Sequence, residues 1–372
     1  MSVIAAGAVV LDGRVHRPGW VSVADGRITD CGSGPVRADA EFGDGVLVPG
    51  FVDMHCHGGA GVSYADDPDR AAALHAAHGT TGGLASLVTA SPEALLAQVR
   101  TLAAATRRGV VDGIHLEGPW LSGLHCGAHD RGQLRAPSDA EVDALLVAGD
   151  GTIRMITLAP ELPGAIAVIR RLVDAGIVVA VGHTDAGYEL TQQAVDAGAT
   201  VGTHLFNAMR ALHHREPGPV PALLSDPRVT VELIADGVHL HAGVIRHVVA
   251  TAGPDRVALV TDAMAAAGVS DGAFTLGGLD VDVDDGVARL HGTTTIAGST
   301  ATMDRLFAAA VRLFGTDDAA LADAVRMTSS TPARTLGLHR AGVLAAGRDA
   351  DLVVLDRDWR VSRVMRRGAW LG

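Results

Sequence analysis

Eight short, almost wholly apolar segments recur through the middle of this chain, separated by stretches rich in Ala, Leu and Arg. They are 48–55, 82–89 (GGLASLVT), 111–116 (VDGIHL), 153–158 (IRMITL), 177–182 (IVVAVG), 199–204 (ATVGTH), 230–235 (TVELIA) and 256–261 (RVALVT). A strand that is apolar on both faces needs cover on both, and a parallel sheet flanked by helices supplies it. Several intervening stretches, such as 92–107 and 163–175, have helical character. Eight such units predict an α/β protein built on a (β/α)8 TIM-like barrel rather than a half-solvated sheet. Neither a dinucleotide glycine fingerprint nor a phosphate-binding P-loop falls at a strand–helix junction.

The two ends have another texture. VSVADGRITDCG and GDGVLVPG near the start, and GVLAAGRDADLVVLDRDWRVSRVMRRG at the end, read as short strands joined by Asp-Gly and Gly-Arg-Asp turns. Short ribbons need a shared core. Residues 1–47 and 336–372 are therefore expected to form one small β-sandwich domain beside a catalytic barrel at 48–335. A chain of 372 residues is long enough for both.

Hydrophobic residues make up 48% and charged residues 19%, which supports a sizeable core and argues against disorder. No apolar run reaches about 18 residues, so a membrane span is not expected. The opening MSVIAAGAVVLDGRV reads as a strand and turn, not as a signal peptide. A formal charge of −12 disfavours a broad nucleic-acid surface but leaves room for a local anion pocket. Cys31, Cys56 and Cys126 are too few and scattered for a disulfide framework, and a cytoplasmic address is the expectation.

Barrel active sites lie at the C-terminal ends of the strands. That face carries His55 and His57 after the first strand, Glu117 after the third, His183 after the fifth, His204 after the sixth and Asp262 after the eighth. Residues i and i+2 of a strand face the same way, and neutral imidazole is a common ligand for divalent metals. One His among 17 is more often an ordinary polar residue. Six donors gathered at five strand ends predict a metal centre. Imidazole and carboxylate without thiolate suit Zn or Fe. Cys56 should point to the opposite strand face and pack as a small core residue. One ion on Glu117, His183 and His204 is the simpler arrangement, and a bridging Glu117 would support two. Asp262 could exchange a proton between water and a leaving amine, ligate a metal, or cap the following segment.

These residues sit in recognisable motifs: VPGFVDMHCHGG, GIHLEGP, GAHD, VGHTDA, THLFNAM followed by REPG, IADGVHL, VTDAM, TTIAGS, TPARTLGL and GRDADLVVLD. In that order they span essentially the whole chain, which resembles the N-acetylglucosamine-6-phosphate deacetylases of the metal-dependent amidohydrolase superfamily. The resemblance implies hydrolysis of N-acetyl-D-glucosamine 6-phosphate to D-glucosamine 6-phosphate and acetate by metal-activated water, without an organic cofactor. It places the principal ion on Glu117, His183 and His204. His55 and His57 match positions that hold a second ion in some members, with Asp262 touching it. One or two ions per subunit are thus expected.

The same resemblance makes Asp262 the proton shuttle and His129 the group that polarises the acetyl carbonyl. Ala128, Asn207 and Ala208 match substrate contacts, and Ile296 an apolar neighbour of the acetyl group. Arg215 and His239 look like the phosphate pair, with Arg215 serving the neighbouring subunit of a homodimer. His125, Cys126, His213 and His214 are secondary candidates. Nucleic acid and membrane are not expected partners. Three alternatives stand beside this reading: the galacto epimer or another N-acetylhexosamine phosphate as substrate, a cyclic-amide hydrolase of the same barrel, and a non-enzymatic metal-stabilised binding protein.

Overall fold

The computed structural model describes residues 1–371; Gly372, the last residue of the expected terminal domain, lies outside the described residues. Eight parallel strands form the central sheet: β1 (Phe51–Asp53), β2 (Thr80–Leu87), β3 (Gly113–Glu117), β4 (Ile153–Leu158), β5 (Val178–Val181), β6 (Val201–Gly202), β7 (Thr230–Leu233) and β8 (Val257–Leu259). Each pairs with its neighbours in chain order, from β1 to β8. Main-chain bonds just beyond β1 and β8 nearly close the barrel: Asp262 N–H donates to the His55 carbonyl at 2.8 Å, and His57 N–H to that of Ala263 at 2.8 Å.

Alternation along the strands decides which side chains reach the interior. Val179 and Val181 of β5, Val231 and Leu233 of β7, and Val257 and Leu259 of β8 pack outward into the large core shared with the helices. Ala180, Ile234, Ala258 and Val260 pack inward with Val52, Met54, Leu84 and Met155, and Ala333 and Leu336 join this inner cluster. The helices follow ordinary end chemistry. Helix Pro92–Arg107 has Ser91 accepting from the Ala94 N–H, Pro92 in its first turn and Arg107 in its last.

Strands from both termini form one mixed sheet of eight strands. Ala40–Pro49 is its centre, parallel to Ser2–Leu11 and antiparallel to Leu352–Leu355. The expected sandwich is thus a single continuous sheet around a core of Ile4, Val21, Ile28, Leu47, Leu352 and their neighbours. Ile28 N–H donates to the Arg348 carbonyl and Ala350 N–H to that of Gly26, both at 2.9 Å, tying its Arg27–Ser33 edge to the approach to Leu352–Leu355.

The apolar segment 48–55, expected as one strand, divides between two sheets: Ala40–Pro49 ends in the terminal sheet and β1 begins the barrel. Gly50 lies at the passage, where a Cβ would sit 2.0 Å from Thr81 Oγ1. A three-stranded antiparallel sheet, Gly272–Leu276, Leu279–Asp284 and Val287–Leu290, follows β8 and was not anticipated. No helix among the described residues is long and apolar enough to cross a membrane.

Candidate metal centre and its cleft

Glu117 ends β3 in phase with the inward-facing His115, so its carboxylate enters the barrel mouth. Its two oxygens divide the surrounding imidazoles. Oε1 lies 2.9 Å from His183 Nε2 and 3.0 Å from His204 Nε2. Oε2 lies 3.2 Å from His57 Nε2, 3.3 Å from His129 Nε2 and 3.5 Å from His55 Nε2. Asp262 Oδ1 completes the second group, 3.1 Å from His57 Nε2 and 3.5 Å from His55 Nε2. All these residues are buried. Cys56, between the two histidines, turns instead into the outer core, with Sγ 3.2 Å from His75 Nε2.

The donor separations suit metal ions. Ligand atoms about 2.0–2.1 Å from a tetrahedral Zn lie about 3.3 Å apart. Glu117 Oε1, His183 Nε2 and His204 Nε2 are separated by 2.9, 3.0 and 3.1 Å. His55 Nε2, His57 Nε2 and Asp262 Oδ1 are separated by 3.1, 3.1 and 3.5 Å. Two three-donor groups therefore meet at one bridging carboxylate.

Proton placement supports the same fit. His183 Nδ1 is 2.9 Å from the His125 carbonyl, which can only accept, so the proton belongs on Nδ1. Burial pushes the pKa of this ring down to about 4 despite the bond to Glu117, leaving it neutral at pH 7. The Nε2 lone pair then faces a carboxylate oxygen, an arrangement a cation between them resolves. At His57 burial opposes protonation, but hydrogen bonds to Asp262 and Glu117 outweigh it and push the pKa up to about 9. Asp262 moves the other way: burial raises its pKa, but His55 and His57 outweigh that and hold it well below the usual carboxylate range. This is a pocket that favours positive charge.

The backbone is unusual at these residues. His183, His204 and Asp262 have φ of 48°, 27° and 47°, in or near the left-handed region that L-residues rarely adopt. Each lies just past the end of its strand, where this turn aims the side chain across the barrel axis. Strain held by surrounding structure is common at functional sites.

Glu117, His57, His183, His204 and Asp262 line the floor of an open cleft of about 410 Å³. Ala128, His129, Asn207, Ala208, His239 and Ile296 all line it, as does His125. Arg215 does not: it lies in an exposed loop with Nη1 2.7 Å from His214 Nε2. His213 and His214 share that exposed loop, and Cys126 is buried and does not line the cleft, its Sγ accepting from Arg131 Nε at 3.2 Å.

Three contributors escaped the sequence reading. Glu232 of β7 accepts from His55 Nδ1 at 3.1 Å. Asp236 accepts a hydrogen bond from His239 Nδ1 at 2.8 Å, and that bond outweighs burial to hold the carboxyl below its ordinary pKa. Leu276 brings the inserted antiparallel sheet to the cleft wall beside Val88 and Ile296.

Comparisons with known proteins agree with this geometry. The model of the Amidohydrolase family matches residues 46–371. The chain is 38% identical to the N-acetylgalactosamine-6-phosphate deacetylase of Escherichia coli O157:H7, covering 94% of this chain and 95% of that one. It is 37% identical to the N-acetylglucosamine-6-phosphate deacetylase of Homo sapiens, covering 93% and 87%. Among solved structures, a mutant N-acetyl-D-glucosamine-6-phosphate deacetylase from Mycobacterium smegmatis in complex with N-acetyl-D-glucosamine-6-phosphate is similar with a TM-score of 0.97. It is 54% identical, over 99% of this chain and 98% of that one.

Proposed function

Because the chain belongs to the amidohydrolase family, we propose that it hydrolyses N-acetyl-D-glucosamine 6-phosphate to acetate and D-glucosamine 6-phosphate. The observation that carries the chemistry is Glu117, one carboxylate with one oxygen facing His183 and His204 and the other facing His57, His129 and His55 at a cleft floor. The substrate class is supported by relatives named for deacetylation of amino-sugar 6-phosphates.

Glu117, His183 and His204 would hold one divalent ion, Zn or Fe, and His55, His57 and Asp262 a second. Bound there, such ions supply Lewis acidity to a carbonyl oxygen and make water more acidic. Asp262, ionised at neutral pH, accepts a proton from the attacking water and returns it to the departing nitrogen. His129 acts as a donor. The Thr89 backbone N–H bonds its Nδ1 at 3.2 Å, so the ring proton sits on Nε2. That N–H stabilises the negative oxygen as the carbonyl is attacked. Val88, Leu276 and Ile296 give the acetyl methyl an apolar wall.

Ala128, Asn207 and Ala208 contact the sugar, and His239, oriented by Asp236, meets the phosphate. Arg215 reaches the phosphate of a neighbouring copy in a homodimer, a reading supported by its exposure outside its own cleft. Its planar fork of donors suits phosphate oxygens. Residues 1–47 and 336–372 are read as one unit and 48–335 as the catalytic barrel, supported by the change of sheet at Gly50. Three unpaired cysteines support a cytoplasmic address.

The galacto epimer is the second reading, favoured by the Escherichia coli relative. Measuring kcat/KM for acetate release from both 6-phosphates and from their unphosphorylated forms tests both. The gluco 6-phosphate should be preferred and loss of phosphate should be costly. Preference for the galacto epimer would select the second reading, and indifference to phosphate would overturn the substrate class.

A further inference from the structure

Glu232 sits inside β7 with no exposed surface. Its neighbours Val231 and Leu233 face the helices, so strand alternation turns its carboxylate into the barrel beneath the donor cluster. Oε2 accepts twice, from His55 Nδ1 at 3.1 Å and from the His204 backbone N–H at 3.1 Å. Oε1 makes no hydrogen bond among the described residues. The polar engagement of this buried carboxylate is therefore with one residue from each donor group. A buried polar group without such partners is costly, so its place calls for a specific role.

Both contacts bear on how the donors are aimed. Oε2 already accepts from a backbone N–H and meets His55 Nδ1 as an acceptor, so His55 carries its ring proton on Nδ1 and presents the Nε2 lone pair to the centre. The opposite tautomer would point an N–H at the position a cation needs. At His204 the same oxygen holds the N–H of a residue whose φ is 27°, helping to keep that backbone in place. Among the described residues the Nδ1 atoms of His57 and His204 have no partner, and His183 relies on a carbonyl. Among the four donor rings, His55 alone has a carboxylate behind it.

We infer that Glu232 is a positioning residue, a single buried carboxylate that orients His55 and anchors His204 so that the two ion positions form together. The inference rests on the two-ion reading above. Its strongest effect falls on the ion held by His55, His57 and Asp262, since the bond there is to the ligating ring itself. Partners of this kind fix the tautomer and raise ligand basicity, and their loss lowers metal affinity by about 10- to 100-fold.

The test compares the wild type with Glu232→Gln and Glu232→Leu, each loaded with zinc and dialysed against graded chelator, counting ions per chain. Gln keeps an acceptor oxygen without the charge, whereas Leu removes both. The wild type should hold two ions. The weaker-held ion should lose about 10- to 100-fold in affinity in the Leu variant, with Gln intermediate. Unchanged zinc affinity in the folded variants, or a wild type that binds one ion at saturation, overturns the inference. Long-range proton–nitrogen spectra of the zinc-loaded wild type give a readout that needs no variant. A His55 proton on Nδ1 supports the assignment, and one on Nε2 overturns it. Ion content and tautomer are read without substrate, so a failure to release acetate would count against the deacetylase reading alone.

Discussion

Asp262→Asn separates proton transfer from shape. Asp262 has φ of 47°, in the left-handed region where Asn and Asp are the best tolerated residues after Gly. Its N–H donates to the His55 carbonyl at 2.8 Å, and its carbonyl accepts from Ser299 N–H at 2.7 Å. Both bonds are main-chain and survive the substitution. An amide oxygen can still face the His57 side of the site, but the amide cannot take up the water's proton. A positioned general acid–base group is worth about 10²- to 10⁴-fold, or about 3–5 kcal/mol in the barrier. Turnover should fall by at least about 10²-fold, with KM little changed and melting close to wild type. The assay is acetate release at saturating substrate, with metal content and melting measured on the same preparation. A folded, fully metallated Asn variant that keeps kcat within about threefold would refute the proton role. Activity that falls only in proportion to lost metal would leave Asp262 the role of holding the ion and remove the proton role.

Three other substitutions or treatments probe separate parts of the account. His129→Ala removes the Nε2–H donor and should lower kcat by about 10²- to 10³-fold with metal content unchanged; a normal kcat would exclude it from the reacting centre. Asp351, whose carboxylate accepts from Arg367 N–H at 2.6 Å, has its pKa pushed up to about 6 by burial. A carboxyl that is more basic when folded costs stability fully above pH 6, and the cost fades as pH falls toward 4. Asp351→Asn should therefore gain up to about 2–3 kcal/mol in urea unfolding at pH 7.5 and less at pH 5; a gain equal at both pH values would contradict this. Burial and the nearby Asp53 charge push the Cys56 thiol up to about 12, so iodoacetamide at pH 8 should leave it intact in the folded protein. Modification that precedes unfolding, read by peptide mass, would show that the segment after β1 carrying His55 and His57 opens.

The barrel was legible because its strands are covered on both faces and so read as isolated apolar runs. Segments 153–158 and 92–107 match β4 and the Pro92–Arg107 helix in their bounds. The donors were legible because His and carboxylate are conspicuous at the ends of such runs. The run GVLVPGFVDMHCH hid a change of sheet, since nothing in its hydropathy separates Pro49 from Phe51. The left-handed backbone at His183, His204 and Asp262 carries no glycine to announce it. Two signals were present but unread. Glu232 is a lone carboxylate in TVELIA, two residues before the inward-facing Ile234. Leu279–Asp284 buries Val281 and Val283 and exposes the intervening aspartates, with an Asp-Gly turn after it. Whether Arg215 reaches a phosphate depends on a second chain, which no single sequence contains.

The central claim is that the centre around Glu117 hydrolyses the acetamide of an amino-sugar phosphate through bound divalent metal. Its most direct test is one purified preparation, assayed for acetate and free amino-sugar phosphate before chelation, after chelation and after zinc is restored. The account predicts equal amounts of the two products, loss of both on stripping, and their return with metal. Full turnover by the stripped enzyme, or restored metal with no acetate, would contradict it.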